Sequence, residues 1–306
     1  MTEWISDFSE LPARELVGGK AHHLALLKSW GANVPRFGVV TTHAFERWES
    51  LKALDLALIQ QITQEASSWL EPSSPYLAVR SSMTAEDGDT SSYAGVMETF
   101  LYVRPEDLAA RIEDCFRSAF SERARDYHAR RGEKDSGLKA AVVVQRMIAS
   151  ESSGVAFSRA PTGNSALLYI EAGLGLGEGV VSGQVDVDAL WHDRFGSEVK
   201  RRIARKLQRM VPAPLEGGTR LEDVPSALQD KPALTDSESS ELANALLEIE
   251  ARLGRPADIE WAVTRSGDSH EIHLLQVRPI TQSLSLIHIS EPTRLRRISY
   301  AVFCLK

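Results

Sequence analysis

The sequence has 306 residues, 43% hydrophobic and 25% charged, which is typical of a globular protein with an extensive core. Its net charge of −7 argues against general nucleic-acid affinity, so locally placed cations would have to hold any anionic ligand. No run of about 18 apolar residues occurs, the start is polar and acidic, and two cysteines give no disulfide framework or thiolate metal site. We therefore expect no membrane span, no secretory signal and a cytoplasmic location.

The first predicted helix follows the glycine-rich segment Val17-Gly18-Gly19-Lys20. Apolar residues recur at helical spacing in AHHLALLKSW, and Gly31 is placed to end the helix. Lys20 would thus lie at a helix N-terminus, where free N–H groups and the helix dipole favour anions. The segment is not a Walker A loop, because Arg14 stands where the first glycine should be. The alternative is a helix start with a solvated lysine.

A strand over residues 34–42 and one or two helices over residues 44–70 lead to the most distinctive polar segment, AVRSSMTAEDGDTSSYAGVMETF, from Ala78 to Phe100. A short apolar run ends on Arg80, and a second begins at Phe100. Small side chains between them would let backbone N–H groups approach a phosphate chain, and Arg80 could fork onto phosphate oxygens. The alternative is a solvated loop rich in Ser and Thr.

The middle of the chain predicts a solvated helix over residues 108–131 and a buried strand, AAVVV, that runs into Gln145-Arg146-Met147. The end of this strand and the thioether of Met147 could clamp a flat purine, although a methionine in this position more commonly packs in the hydrophobic core. Further strands are predicted at 154–159 and 167–171, and an irregular hairpin region at 191–235. Glycines in AGLGLGEGVVSG do not fit G-x-G-x-x-G, so a dinucleotide fold is not indicated. A helix over 237–253 would have Ser237 as N-cap and end at Gly254.

The most informative pair of strands comes near the end, in DIEWAV and IHLLQVRPI, with a turn predicted at Ser266-Gly267-Asp268. Antiparallel pairing about residue 268 would place Glu260 opposite Gln276 and Asp258 opposite Arg278, all on one face of the sheet. Two carboxylates, an amide and a guanidinium suit Mg²⁺ together with polyphosphate. The alternative is a cross-strand salt bridge on a solvated face.

Together these segments resemble the ATP-binding domain of the pyruvate phosphate dikinase and phosphoenolpyruvate synthase family, which the rifampin phosphotransferases share. The matching motifs, in family order, are GGK, AVRSS-TAEDG-SSYAG-METF, VVVQRM, SGVAFSR, EAGLGLGEGVVSG, DIEWAV and LLQVRPIT. The resemblance covers roughly residues 10–282. It implies an α+β, ATP-grasp-like fold, in which two lobes of a nucleotide-binding domain close over ATP and Mg²⁺.

The resemblance also implies roles for individual residues. Lys20, Arg80 and Arg278 would be catalytic, with Lys20 and Arg80 binding the phosphates and Arg278 neutralising them. Gly95 and Thr99 would belong to the segment that covers the phosphates, and Gln145 and Met147 would lie by the adenine. Glu260 and Gln276 would hold Mg²⁺, with Asp258 nearby.

In that family ATP passes its β-phosphoryl group to a histidine on a swivelling carrier domain, and an acceptor domain then delivers it to pyruvate or to a rifamycin. The carrier pattern, Gly-Gly-x-Thr-Ser-His-Ala-Ala, does not occur in the printed sequence, and Thr42-His43-Ala44 is better interpreted as a helix start. The expected function is therefore that of the ATP-binding domain of a phosphoenolpyruvate-synthase-like phosphotransferase. The alternatives are a rifamycin phosphotransferase domain, a non-catalytic nucleotide-binding module and, more weakly, a complete ATP-grasp ligase.

The end of the chain is different in character. Residues 284–306, LSLIHISEPTRLRRISYAVFCLK, carry no period that continues the preceding sheet. They resemble the translation of a DNA-sequencing adapter, the alternative being a natural basic tail. We therefore expect residues 1–283 to form the ATP-binding domain and residues 284–306 to be a non-native tail.

Overall fold

The computed structural model describes residues 2–84, 98–121, 139–161, 164, 166–213 and 218–280. The chain divides into two units, Met1–Ile148 with Ala213–Gly218, and Ala149–Pro212 with Thr219–Lys306. Each unit combines helices with a sheet, so the fold is of mixed α and β class. No helix within the described ranges is long and apolar enough to cross a membrane.

The first unit contains an antiparallel sheet whose described strands follow the order β1-β2-β5-β3-β4. Its elements are β1 (Trp4–Ile5), α1 (Arg14–Ser29), β2 (Phe37–Val40), α2 (Thr42–Leu51), α3 (Leu56–Ser67), β3 (Leu77–Met83), β4 (Thr99–Val103), a 3-10 turn (Pro105–Asp107), α4 (Leu108–Ser118) and β5 (Ala140–Arg146).

The two faces of this sheet carry separate hydrophobic cores. Val142 and Val144 pack in one core with residues of α2, α3 and α4, whereas Val143 packs in the other with residues of α1. Successive side chains of a strand point to opposite faces, so residues 140–144 of β5 must all be apolar to fill both cores. This explains the uninterrupted run AAVVV.

The second unit contains an antiparallel sheet with described strands in the order β13-β12-β6-β7-β8-β9, and a separate hairpin, β10-β11. The helix Asp236–Leu253 contacts the strands Ala257–Ser266 and Ser269–Pro279. The elements are β6 (Ser152–Phe157), β7 (Leu168–Leu174), α5 (Gly177–Val181), β8 (Asp188–His192), β9 (Glu198–Arg202), β10 (Gln208–Pro212), β11 (Thr219–Asp223), α6 (Ser226–Gln229), α7 (Asp236–Leu253), β12 (Ala257–Ser266) and β13 (Ser269–Pro279).

Strand β3 is longer than the sequence predicts. The apolar run was expected to end on Arg80, but the strand continues to Met83, with Ser81 and Ser82 fully buried. The two hydroxyls can be buried because each donates a hydrogen bond to a backbone carbonyl, that of Glu98 for Ser81 and that of Val17 for Ser82.

Helix boundaries also differ from prediction. Helix α7 is capped by Thr235, not Ser237: the Thr235 hydroxyl accepts from the N–H of Glu238, whose carboxylate accepts from the N–H of Thr235. Its predicted end at Gly254 is confirmed, with φ +69°. Helix α1 begins at Arg14, before the glycine-rich segment, and is interrupted at Gly18. Helix α4 ends at Ser118, and residues 122–138 lie outside the described ranges.

Candidate functional site

In the first unit, Lys20 occupies the first turn after the interruption of α1. Gly18 has φ +76° and ψ 172°, a backbone region that only glycine adopts readily. The Lys20 side chain is buried, and its Nζ donates to the carbonyl oxygen of Ser81 on β3 at 2.8 Å. The lysine predicted to be solvated in the alternative interpretation is therefore held against the strand that carries Arg80.

Arg80 lies in the middle of β3, between Val143 of β5 and Thr99 of β4, and is 9% exposed. Ser82, two residues later, hydrogen-bonds to α1, so strand alternation places Arg80 on the face that α1 covers. Thr99 is exposed, and Gly95 lies outside the described residues.

Gln145 lies on the same face, at the end of β5, opposite Phe37 and Ala78. It is 3% exposed, and its Nε2 has no hydrogen-bond partner among the described residues. A buried amide donor without a partner costs free energy unless a ligand satisfies it. Met147 is half-buried, and its backbone pairs with the carbonyl of Tyr76 and the hydroxyl of Ser74.

In the second unit, the hairpin of β12 and β13 places Asp258 opposite Arg278 and Glu260 opposite Gln276. Arg278 Nε lies 3.2 Å from Asp258 Oδ1, and its Nη2 lies 3.9 Å from Glu260 Oε1. The two carboxylates and the guanidinium are each about one-fifth exposed, whereas Gln276 is buried.

This arrangement depends on a bulge. Between the turn and the bulge, Ser266 pairs with Ser269 and Trp261 pairs with Leu274. Each β12 residue there therefore pairs with the β13 residue one position before the partner that pairing about residue 268 predicts. Leu275 is the extra residue that absorbs the shift. The predicted pairing about residue 268 therefore holds at the candidate site, but not at the turn.

The chemistry of this face suits a hard cation. Two carboxylates and an amide offer oxygen ligands, and Mg²⁺ usually takes one or two carboxylates and completes its shell with water and substrate phosphates. No cluster of three or more His, Cys, Asp or Glu side chains that could hold a metal occurs in the part of the chain that the structure describes. A cation here would consequently need further oxygen ligands from water and from the phosphates of a bound substrate.

The same sheet face continues beyond the predicted residues. On β6, Val155 pairs with Glu260 of β12 on one side and with Glu171 of β7 on the other. In the same way, Phe157 pairs with Asp258 and with Tyr169. Glu171 is 6% exposed and accepts a hydrogen bond from Tyr169 Oη at 2.9 Å. Burial raises the pKa of its carboxyl group, with the Tyr169 hydrogen bond and the charge of Arg202 acting in the opposite sense. Sequence analysis missed Glu171, because only the strand pairing brings it beside Glu260.

The family model "Pyruvate phosphate dikinase, AMP/ATP-binding domain" matches residues 51–292. A rifampicin phosphotransferase of Streptomyces sviceus is 37% identical over 91% of this chain and 36% of its own length. A probable phosphoenolpyruvate synthase of Methanocaldococcus jannaschii is 39% identical over 67% of this chain and 17% of its own length. The chain thus spans well under half the length of these relatives.

Among solved structures, the protein PH1788 from Pyrococcus horikoshii aligns with a TM-score of 0.43 and 15% identity, over 87% of this chain and 92% of its own. An L-amino acid ligase from Bacillus licheniformis aligns with a TM-score of 0.38 and 12% identity, over 86% of this chain and 42% of its own.

Proposed function

This chain belongs to the pyruvate phosphate dikinase AMP/ATP-binding domain family, and from that membership we propose that it binds Mg-ATP and donates the β-phosphoryl group to a carrier histidine on a domain outside the printed sequence. Overall, ATP, water and histidine would give phosphohistidine, AMP and inorganic phosphate. The observation that carries the proposal is the face formed by Asp258, Glu260, Gln276 and Arg278.

Each unit carries candidate ligand-binding residues of its own. Lys20 and Arg80 would bind phosphate oxygens, and Gln145 would donate its unpaired Nε2–H to an acceptor nitrogen of the adenine, beside Met147. Thr99 and Gly95 would cover the phosphates. Glu260 and Gln276, with Asp258 nearby, would hold Mg²⁺, which supplies positive charge to the phosphate oxygens, and Arg278 would balance the remaining charge. These roles are the ones expected of the ATP-grasp-like fold that we propose for this member of the family.

The test is calorimetric titration of the full chain with ATP, with and without Mg²⁺. Arg80→Met should weaken ATP binding by about 10- to 100-fold, because it removes charge-assisted hydrogen bonds to phosphate. Glu260→Gln should make the affinity much less sensitive to Mg²⁺. Matched controls are Arg47→Met, at an exposed ion pair with Glu3 and Asp55, and Glu248→Gln, on the surface of α7. A folded parent that does not bind ATP would contradict the proposal.

The phosphoryl acceptor defines two candidates, pyruvate and a rifamycin. The rifamycin candidate is favoured by sequence identity at similar coverage. Two relatives named rifampicin phosphotransferase are 35–37% identical over 87–91% of this chain, whereas a probable phosphoenolpyruvate synthase of Methanothermobacter thermautotrophicus is 30% identical over 92%. Carrier and acceptor domains from each kind of relative, supplied separately in trans, should distinguish the two. We expect AMP to form only with the carrier and acceptor domains of the relative whose acceptor this chain shares. The chain alone should phosphorylate neither pyruvate nor a rifamycin. If ATP binds but no histidine is phosphorylated with either set, the chain is a non-catalytic nucleotide-binding module.

A further inference from the structure

The hydroxyl of Ser82 lies inside the interruption of helix α1. Ser82 is fully buried, and its Oγ donates to the carbonyl oxygen of Val17 at 2.9 Å and accepts from the N–H of Ala21 at 3.1 Å. In an uninterrupted α-helix the N–H of residue 21 would bond directly to the carbonyl of residue 17. The hydroxyl therefore replaces a missing helical hydrogen bond with a bridge from the neighbouring strand.

Two more contacts join the same segments. A Cβ on Gly18 would lie 2.2 Å from the carbonyl oxygen of Ser82, so the backbone of the glycine turn rests directly on β3. Lys20 Nζ donates to the carbonyl oxygen of Ser81. The turn that carries Lys20 is thus attached to the two residues that immediately follow Arg80.

We propose that Ser82 is a positioning residue that fixes the Lys20 turn against β3, so that Lys20 and Arg80 are held in one geometry toward a single polyphosphate. This rests on the proposed function. A hydroxyl is suited to the task because it donates and accepts at once. An alanine would leave both the Val17 carbonyl and the Ala21 N–H without their present partner and would release the turn.

Binding of three ligands to the full chain tests the role. Ser82→Ala should weaken the binding of ATP and of inorganic tripolyphosphate by about 3- to 10-fold, the size of effect expected when hydrogen bonds to a charged group are misaligned. It should leave the binding of adenosine unchanged. The matched control is Thr41→Val, because the buried Thr41 hydroxyl also donates to a backbone carbonyl, but to that of Thr2 and not to one in α1. Thr41→Val should retain the parent's affinity for all three ligands. Unchanged tripolyphosphate binding in folded Ser82→Ala would overturn the inference.

A double-mutant cycle with Lys20→Met separates positioning from a general structural effect. If Ser82 acts through Lys20, Ser82→Ala should cause little further loss of ATP affinity once the Lys20 charge is gone. Equal losses in both backgrounds would show that Ser82 acts independently of Lys20 and would sink the idea. Should Ser82→Ala not fold, Ser82→Cys is measured in the same way. Its thiol donates and accepts only weakly and cannot reproduce the contacts of 2.9 and 3.1 Å, so parental affinity for tripolyphosphate would again refute the proposal. Failure of the parent to bind ATP would instead count against the proposed function.

Discussion

Arg278 is the residue whose chemistry changes most between the free protein and the proposed complex. In the free protein its guanidinium is within 4 Å of both Asp258 and Glu260, so it supplies the positive charge that Mg²⁺ would otherwise provide. A bound phosphate chain would give the guanidinium a second set of oxygen partners. Under the proposed function, Arg278 and the metal would compete for the carboxylates in the free protein but would cooperate once ATP is bound.

Replacement of Arg278 by Met should consequently have opposite effects on the affinity for free Mg²⁺ and on the affinity for Mg-ATP. Free Mg²⁺ should bind about 2- to 5-fold more tightly without nucleotide, because the partly exposed ion pair that opposed it is gone. Mg-ATP should bind about 10-fold or more weakly, because a charge-assisted contact to phosphate is lost. Calorimetric titrations with MgCl₂ and with Mg-ATP measure both. Arg252→Met, which removes an ion pair with Glu248 on α7, is the control, and weakening of both ligands by Arg278→Met would contradict this account.

At the scale of an element, the interruption of α1 requires a glycine at position 18, and this requirement can be tested without any ligand. Gly18 and Gly31 both have positive φ, +76° and +84°. A Cβ at Gly31 meets no described atom within 4 Å, whereas one at Gly18 would overlap the carbonyl of Ser82. The two glycines thus share a backbone constraint, but only Gly18 is also confined by its neighbours.

Gly31→Ala should lower the free energy of unfolding by about 1–2 kcal/mol, the cost of placing a Cβ in the left-handed region. Gly18→Ala should lower it by about 3–5 kcal/mol, because overlap with β3 is added to the backbone strain. Urea unfolding followed by circular dichroism measures both variants against the parent. Similar losses for the two alanines would mean that the chain relaxes away from Ser82 without difficulty.

At the scale of the whole molecule, local features were predictable and long-range ones were not. The hairpin that carries Glu260 and Gln276 is contained in a short stretch, where alternation specifies the face that the two side chains share, whereas the bulge at Leu275 was not predicted. The burial of Ser82 depends on Val17, 65 residues away, and nothing in the local pattern indicates it. Glu171 reaches the candidate face only through the pairing of β6 with β7 and β12. Thr235 was recoverable, since Thr-x-x-Glu is itself a capping signal.

The tail provides the remaining test at this scale. The described fold ends at Ile280, whose N–H donates to the carbonyl of Pro256 at 2.7 Å, and residues 281–306 lie outside the described ranges. The adapter hypothesis predicts that chains ending at residue 283 and at residue 292 keep the parent's melting temperature and Mg-ATP affinity. The family match, however, runs to residue 292. If the chain ending at 283 is destabilised while the one ending at 292 is not, residues 284–292 belong to the fold and the hypothesis is wrong for them. Differential scanning calorimetry of the three chains, with and without Mg-ATP, makes that distinction. A ligand that binds only the folded state raises the melting temperature, and at one ligand concentration the rise is larger the more tightly the chain binds it.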